Sequence, residues 1–250
     1  MTSYARRVQL APGYILHHYP YRDTSRILEV LTRDAGRISI FARGVRGPKA
    51  KLASELQPFR LLLLSWSGKG EAPMLSGAES APEQLPLPPA CLMSAFYLNE
   101  LLLKLTHRHD PVPGVFDAYH VALEALKHGA PLEATLRLFE KRLLDLLGYG
   151  VALDVDARTG ASIEPDAYYH FRPAYGVFAA SADAPGALLG ASLINLAREQ
   201  VSTARELEDA KRLLQAAMAH CLEGRELSTR KVARAVAHRS SSNGRNQRPN

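Results

Sequence analysis

Apolar and polar positions alternate in short runs through the first 80 residues of the chain, which is the pattern of half-buried β-strands. The segments Asp34-Ala-Gly36 and Ser67-Gly-Lys-Gly70 interrupt this alternation with residues that tight turns favour. We predict five strands, at Gly13–Tyr19, Arg26–Thr32, Arg37–Arg43, Phe59–Trp66 and Met74–Ala78. Five short strands over this length are typical of a small closed or partly open barrel.

The period becomes helical after a proline-rich segment. Residues 81–90 contain four prolines, a density that neither a helix nor a central strand tolerates, so we predict a linker there. Beyond it, apolar residues recur every three or four positions. This spacing predicts helices at Cys91–Leu105, Phe116–Lys127, Leu132–Leu147, Ala187–Arg198 and Thr203–Leu222.

Together these patterns predict an α+β protein of two domains. Residues 1–80 form a small β-barrel, of which the OB-fold is a well-known nucleic-acid-binding kind. Residues 91–239 form a mainly helical domain that contains an irregular insert at 149–185 and a last short helix after Ser228 or Thr229. Residues 240–250 are polar and contain glycine and proline, so we predict a disordered tail.

The charge of the chain is concentrated at its two ends. Residues 1–80 and 225–250 each carry a net charge of +6, whereas residues 81–224 carry −6. A focused positive field favours a polyanion, because each neutralised phosphate releases condensed counterions. Basic segments can also serve only to keep a protein soluble, or to bind an acidic partner protein, and the charge pattern alone leaves these alternatives open.

The third predicted strand is the best candidate for a nucleic-acid surface. Its alternation places Arg37, Ser39, Phe41 and Arg43 on one face and apolar residues on the other. Guanidinium groups interleaved with an aromatic ring can hold phosphates and stack a base. An exposed strand with solubilising arginines is the alternative. The residues we expect to contact DNA are Arg22, Arg26, Arg37, Phe41, Arg43, Arg46, Lys49 and Lys51.

The predicted helix Leu132–Leu147 offers a second candidate surface. Arg137, Lys141 and Arg142 stand beside its apolar stripe and could form the basic rim of a groove for an acidic, hydrophobic peptide tail. An ordinary amphipathic helix with a solvated face would show the same pattern.

The basic segment Arg225–Arg239 has two interpretations as well. It could contact nucleic acid, or it could pack against the acidic middle of the chain.

Several functional classes find little support in the sequence. There is no phosphate-binding GxxxxGK[ST] loop, and the two cysteines cannot make a four-cysteine zinc site. The run His107-Arg-His-Asp110 ends a helix, where histidine is favoured by the helix dipole, although a metal-dependent nuclease that uses it is a minor alternative. We therefore expect no catalytic centre, cofactor or metal. Without an apolar leader or long apolar run, we expect a cytoplasmic protein.

Read together, several stretches of the chain resemble the bacterial RecO family of recombination mediators. The resemblance covers nearly the whole chain. It is carried by Tyr14–Ser25, Leu31–Ser39, Ala42–Lys49, Leu56–Phe59, Leu64–Trp66, Leu138–Glu140, Leu147–Gly150 and Ser228–Arg230.

The resemblance implies an N-terminal OB-fold, a central helical domain and a role in recombinational repair. Members of the family bind single- and double-stranded DNA and anneal complementary strands without ATP. They work with RecR and the single-stranded-DNA-binding protein to help load RecA, which implies an association with the nucleoid.

One feature of many members is missing. They carry a CxxC…CxxC zinc module after the position of Gly148–Gly150, whereas residues 154–180 here contain no cysteine. We expect no zinc, and we expect this insert to be held by the packing of Tyr168, Tyr169, Phe171, Tyr175 and Phe178.

Overall fold

The computed structural model describes residues 7–46, 52–229 and 231–232, which divide into two compact units. The first unit runs to His109 and takes up the chain again from Glu226, and the second comprises Asp110–Arg225. This division differs from the predicted boundary at residues 81–90, because the helix that follows the linker packs on the barrel. The buried Asn99 side chain fastens that helix by donating a hydrogen bond to the carbonyl of Leu16 (2.8 Å).

The first unit is built on a five-stranded barrel. Strand β1 pairs with both β2 and β4, β2 with β3, and β5 with both β3 and β4, so the ring of pairings closes. This arrangement confirms the predicted OB-type barrel in an α+β protein. The strands are β1 Arg7–Tyr21, β2 Ser25–Thr32, β3 Gly36–Ala42, β4 Leu62–Ser67 and β5 Met74–Ser80.

Strand β1 is longer than predicted, because it serves two neighbours in turn. Its first half, Arg7–Gly13, pairs with β4, and its second half, Gly13–Tyr21, pairs with β2. The change of partner lets one strand bend around the barrel. The expected alternation of β3 is confirmed, since Ile38, Ile40 and Ala42 all lie in the barrel core.

Helix α1 spans Leu92–Leu105 and completes the first unit. It follows a single turn of 3₁₀-helix at Pro89–Cys91. Residues 228–229 and 231–232, also in this unit, are helical.

The second unit combines four helices with a small sheet. The helices are α2 Val115–Lys127, α3 Leu132–Leu146, α4 Gly190–Ala197 and α5 Ala204–Cys221. Each lies within a few residues of its predicted position. Helix α5 begins at a capping box, in which the Thr203 hydroxyl accepts from the Glu206 N–H and the Glu206 carboxylate accepts from the Thr203 N–H.

The insert at 149–185 was predicted to be irregular, and this prediction is wrong in part. Strands β6 Tyr168–Arg172 and β7 Gly176–Ala180 form an antiparallel hairpin, and β8 Leu188–Leu189 pairs with the other edge of β6. Strands of five residues or fewer are too short to show a clear period. The expected aromatic packing also differs, since Tyr169 is buried whereas Tyr175 is 74% exposed.

A buried carboxylate organises this cysteine-free insert. Asp156 is 3% exposed and accepts hydrogen bonds from the N–H groups of Arg158, Thr159 and Ala179 (2.7–3.0 Å). The bond from Ala179 leads the causes that lower the pKa of Asp156 to about 2. With no thiolate in the insert and this carboxylate used by the backbone, the residues present do not fit a zinc centre.

Candidate nucleic-acid interface

An open depression of about 650 Å³ lies on the outside of the barrel, where β1 turns into β2 and β3 ends. It is lined by the rings of Tyr21 and Phe41 and by the apolar side chain of Met74, and we refer to these three residues as the aromatic platform. The rings of Tyr21 and Phe41 meet edge to face at 5.2 Å between centroids, and Phe41 is paired with Met74 across β3 and β5. Tyr21 and Met74 are both more than one third exposed, so the platform has a free apolar face of the kind on which a base can stack.

Cationic side chains surround the aromatic platform. The guanidinium of Arg22 lies over the Tyr21 ring, 5.4 Å from its centroid, and Arg43 lines the same depression. Arg46 is held beside them, because its backbone N–H donates to the carbonyl of Thr24 and its guanidinium donates to the carbonyl of Arg22 (both 3.0 Å). The fold thus brings together four of the predicted residues, Arg22, Phe41, Arg43 and Arg46. Sequence reasoning missed Tyr21 and Met74.

The other half of the same β3 face is covered. Glu29 on β2 is fully buried and forms ion pairs with Arg37 (2.7 Å) and Arg108 (2.5 Å). The Ser39 hydroxyl donates to the same carboxylate (2.6 Å). Arg37 also donates to the hydroxyl and carbonyl of Thr106 (3.2 and 2.8 Å). We refer to Glu29, Arg37, Ser39, Thr106 and Arg108 as the Glu29 clamp.

Because Arg37 belongs to the Glu29 clamp, its guanidinium is not part of an open basic surface. The expectation of one open basic face from Arg37 to Arg43 is wrong in its geometry, because the side chain of Arg37 is only 12% exposed and its guanidinium is occupied. Burial by itself would raise the pKa of Glu29. The hydrogen bonds from Arg108, Ser39 and Arg37, with the charge of Arg108, outweigh burial and hold that pKa below its usual value. A glutamate amid the apolar run Ile27–Leu31 was the signal for such a site, since a buried carboxylate needs partners.

The remaining predicted DNA contacts lie elsewhere. Arg26 is half-buried and shares the core-side face of β2 with Leu28, pairing with Ala42. Burial is the main cause of the lowered pKa of His18, and the charge of Arg26 adds to it. Lys49 and Lys51 lie outside the described residues.

The predicted basic rim on α3 is paired with acids of its own unit. Arg137 is buried and donates to Glu140 (2.7 Å). Lys141 bonds to Asp145 (2.9 Å), and Arg142 makes a forked contact with Glu199 (2.5–3.1 Å).

The alternative metal site receives no support from the geometry. Within residues 7–46, 52–229 and 231–232, no three histidine, cysteine, aspartate or glutamate side chains are grouped so that they could bind a metal ion. The backbone N–H of His109 donates to the carbonyl of Arg37 (2.8 Å). In the same part of the chain, no helix combines the length and the apolar character needed to cross a bilayer.

Known proteins resemble the chain over nearly its whole length. Residues 8–81 match the family model described as Recombination protein O N terminal, and residues 90–231 match Recombination protein O C terminal. The chain belongs to the RecO family. The break between the two RecO matches falls in the proline-rich segment predicted as the domain boundary.

Curated RecO relatives agree with this assignment. DNA repair protein RecO of Methylococcus capsulatus is 42% identical over 229 residues, which cover 92% of this chain and 94% of the relative. The proteins of the same name from Burkholderia lata and Coxiella burnetii are 41% and 39% identical over 90% and 91% of the chain, covering 82% and 98% of their own lengths. Membership of the RecO family supports a role in DNA repair and recombination.

Proposed function

We propose that this protein is a non-catalytic recombination mediator in DNA repair. It binds single- and double-stranded DNA and anneals complementary strands without ATP. It helps to load RecA onto DNA coated by the single-stranded-DNA-binding protein. Its direct partners are DNA, RecR and the acidic C-terminal tail of the single-strand binder, and RecA is reached indirectly. It acts in the cytoplasm, in association with the nucleoid.

The observation that carries this proposal is the aromatic platform bordered by Arg22, Arg43 and Arg46. Its arginines neutralise phosphates and its rings stack bases, and neither interaction reads sequence. Neutralising phosphates on two strands lowers their mutual repulsion, so complementary bases can pair without an energy source. Strand annealing therefore follows from binding alone.

Helix α3 is the proposed docking site for the tail of the single-strand binder. Leu146 is 36% exposed on this helix, and Arg142, one turn earlier on the same side, supplies positive charge beside it. An acidic tail would have to displace Glu199 from Arg142. Exchange of one carboxylate for another costs little, because the guanidinium keeps a charged partner throughout.

Charge reversal tests the DNA-binding surface. We expect glutamate at Arg22, Arg43 and Arg46 together to abolish annealing of complementary oligonucleotides and to flatten the dependence of DNA affinity on salt. The matched control is glutamate at Arg158, Arg172 and Arg198, three exposed arginines of the second unit. Both triple variants change the net charge equally, so a loss confined to the first variant locates the surface.

Two results would contradict the proposal. Normal annealing by the Arg22, Arg43 and Arg46 variant would show that the platform is not the DNA surface. Failure of the unmodified protein to bind DNA even at low salt would favour the alternative of a scaffold whose basic ends bind acidic proteins.

A further inference from the structure

A row of four apolar and aromatic side chains crosses the outside of the barrel next to the Glu29 clamp. We call it the outer row, and its members are Tyr19 on β1, Ile27 on β2, Phe41 on β3 and Met74 on β5. Each is paired with the next across the sheet, so the four lie side by side. Ile27 and Phe41 face outward, because their chain neighbours Leu28 and Ile40 lie in the barrel core.

The outer row is wide enough for more than one base. Three inter-strand spacings of roughly 4.8 Å separate its ends, which gives a width of about 14 Å. Four-stranded sheets of RNA-recognition domains stack two or three bases on their aromatic side chains. Tyr19 and Met74 are 46% and 38% exposed, and Ile27 and Phe41 are half-buried, so the row is accessible along its length. The aromatic platform covers only the half of the row formed by Phe41 and Met74.

Tyr19 is the aromatic side chain at the other end of the outer row. The ring of His17, two residues earlier on the same face of β1, meets it edge to face at 4.5 Å between centroids. A ring that is already held by a neighbour loses little conformational freedom when a ligand stacks on it, so Tyr19 is prepared for binding. Tyr19 also lines a groove of about 600 Å³ beside α1, so the outer row connects this groove with the open depression.

One side of the outer row is open and basic. Arg43 follows Phe41 by two residues, and Arg22 and Arg46 lie beside it around the depression. Asp23 also lines the depression, but these three arginines outnumber it. Residues 233–239 of the basic C-terminal segment and the predicted tail at 240–250 lie outside the described residues. The phosphates of a bound strand therefore belong on the side of the three arginines.

The opposite side of the outer row is closed by the Glu29 clamp. Glu29 and Ser39 are paired in the next row of the same face, and both are buried. The hydrogen bond from Arg108 to Glu29 is the main cause of the raised pKa of Arg108, and the charges of Glu29, Tyr19 and Glu71 add to it, so this guanidinium lies close to the row. Because only one side is open, a bound strand has one orientation, with its phosphates toward the open arginines and its bases over the row.

We propose that the outer row is a track for single-stranded DNA, in which Tyr19 provides a second stacking position beyond the aromatic platform. This inference rests on the proposed function of the platform. One base stacks on Phe41 and another on Tyr19, while the phosphates follow the open arginines. A duplex keeps its bases stacked on one another, so it can contact the arginines but cannot stack on Tyr19. Tyr19 therefore increases the affinity for single strands and not the affinity for duplexes.

Replacement of Tyr19 tests the track in the full-length protein. We expect Tyr19→Ala to weaken binding of a labelled thymidine oligonucleotide about tenfold, because one stacked base is lost. The affinity for a duplex of the same length should stay the same. Fluorescence anisotropy measures both affinities. Tyr19→Phe keeps the ring and should restore binding. The matched control is Tyr175→Ala, which removes a tyrosine that is 74% exposed in the second unit and should leave both affinities unchanged.

Unchanged binding of single strands by Tyr19→Ala would overturn the track and would leave the outer row as a surface for a protein partner. An equal loss for both kinds of DNA would overturn it too, because Tyr19 would then not stack on bases. Photo-cross-linking with an oligonucleotide that carries iodouracil gives an independent measurement. Cross-links at Phe41 and Tyr19 are expected, and cross-links at Phe41 without Tyr19 would contradict the track. The proposed function fails separately, if glutamate at Arg22, Arg43 and Arg46 leaves DNA binding normal.

Discussion

An arginine stands at each end of the same face of strand β3, Arg37 within the strand and Arg43 just after it, but their surroundings are opposite. At one end, Phe41 and Arg43 lie beside an open depression. At the other, Arg37 and Ser39 are tied to the buried carboxylate of Glu29. Arg43 therefore lines an open depression, whereas Arg37 already has a permanent anion within the fold.

This difference separates a binding function from a structural one on a single strand. A buried ion pair is strongly destabilising to break, because the remaining partner is left uncompensated. An exposed arginine contributes little to stability but adds to binding of a polyanion. Substitutions at the Arg37 end should therefore lower stability, and substitutions at the Arg43 end should weaken DNA binding.

The largest effect, a loss of stability, is expected when the Glu29 clamp is broken. Glu29→Gln removes the charge that Arg37 and Arg108 share, and it should lower the free energy of unfolding by about 3 kcal/mol. Urea unfolding followed by the fluorescence of Trp66, which lies in the barrel core, measures this loss. Glu79→Gln on the exposed side of β5 is the control. A loss below 1 kcal/mol would mean that the clamp is not what holds this half of the face.

Acid should reproduce that loss in the unmodified protein. The pKa of Glu29 is lowered in the folded state, so its stabilisation is complete above the ordinary value of 4.5 and is lost as pH falls through the lower folded value. Between neutral pH and pH 3, the stability of the unmodified protein should fall more than that of the Glu29→Gln variant. Parallel pH profiles of the two proteins would contradict this assignment.

A smaller effect is expected at the open end. Phe41→Ala should weaken binding of single-stranded DNA by about tenfold, since stacking of one base is worth roughly 1–3 kcal/mol. The midpoint of urea unfolding should change far less than in the Glu29 variant, because Phe41 is only half-buried. Phe41→Tyr retains the ring and should retain affinity. Equal affinity in all three proteins would remove stacking from the mechanism.

The smallest expected effect is on the salt dependence of DNA affinity, and it distinguishes Arg43 from Arg37. Arg43→Ala should reduce the slope of log affinity for single-stranded DNA against log salt by about 0.7, the loss of one phosphate contact. Arg37→Ala should leave this slope unchanged and lower stability instead. The comparison between the two ends of β3 fails if Arg37→Ala changes the slope as much as Arg43→Ala does.

Local pattern predicted the barrel, the helices and the direction of each β3 side chain. It could not predict which of those side chains are buried by other parts of the fold, because the residues that bury them are distant in the chain. The sequence analysis treated Arg108 only as part of a run that ends a helix and predicted no partner for it, although its guanidinium forms an ion pair with the carboxylate of Glu29. Tyr21 was missed as part of the platform, because it lies 20 residues before Phe41 in the chain and meets it only through the pairing of both β1 and β3 with β2. Short strands in the insert gave too little periodicity to be recognised.

The Glu29 clamp also bears on the order in which the first unit folds. Glu29 meets Arg37 across a separation of eight residues, but it meets Arg108 across a separation of 79. Closing the longer loop costs more chain entropy, so the hairpin of β2 and β3 can form before the segment that follows α1 arrives. We expect the contact with Arg108 to be absent from the folding transition state, so that it slows unfolding without speeding folding. If so, the ion pair between Glu29 and Arg108 would set the unfolding rate of the first unit more than its folding rate.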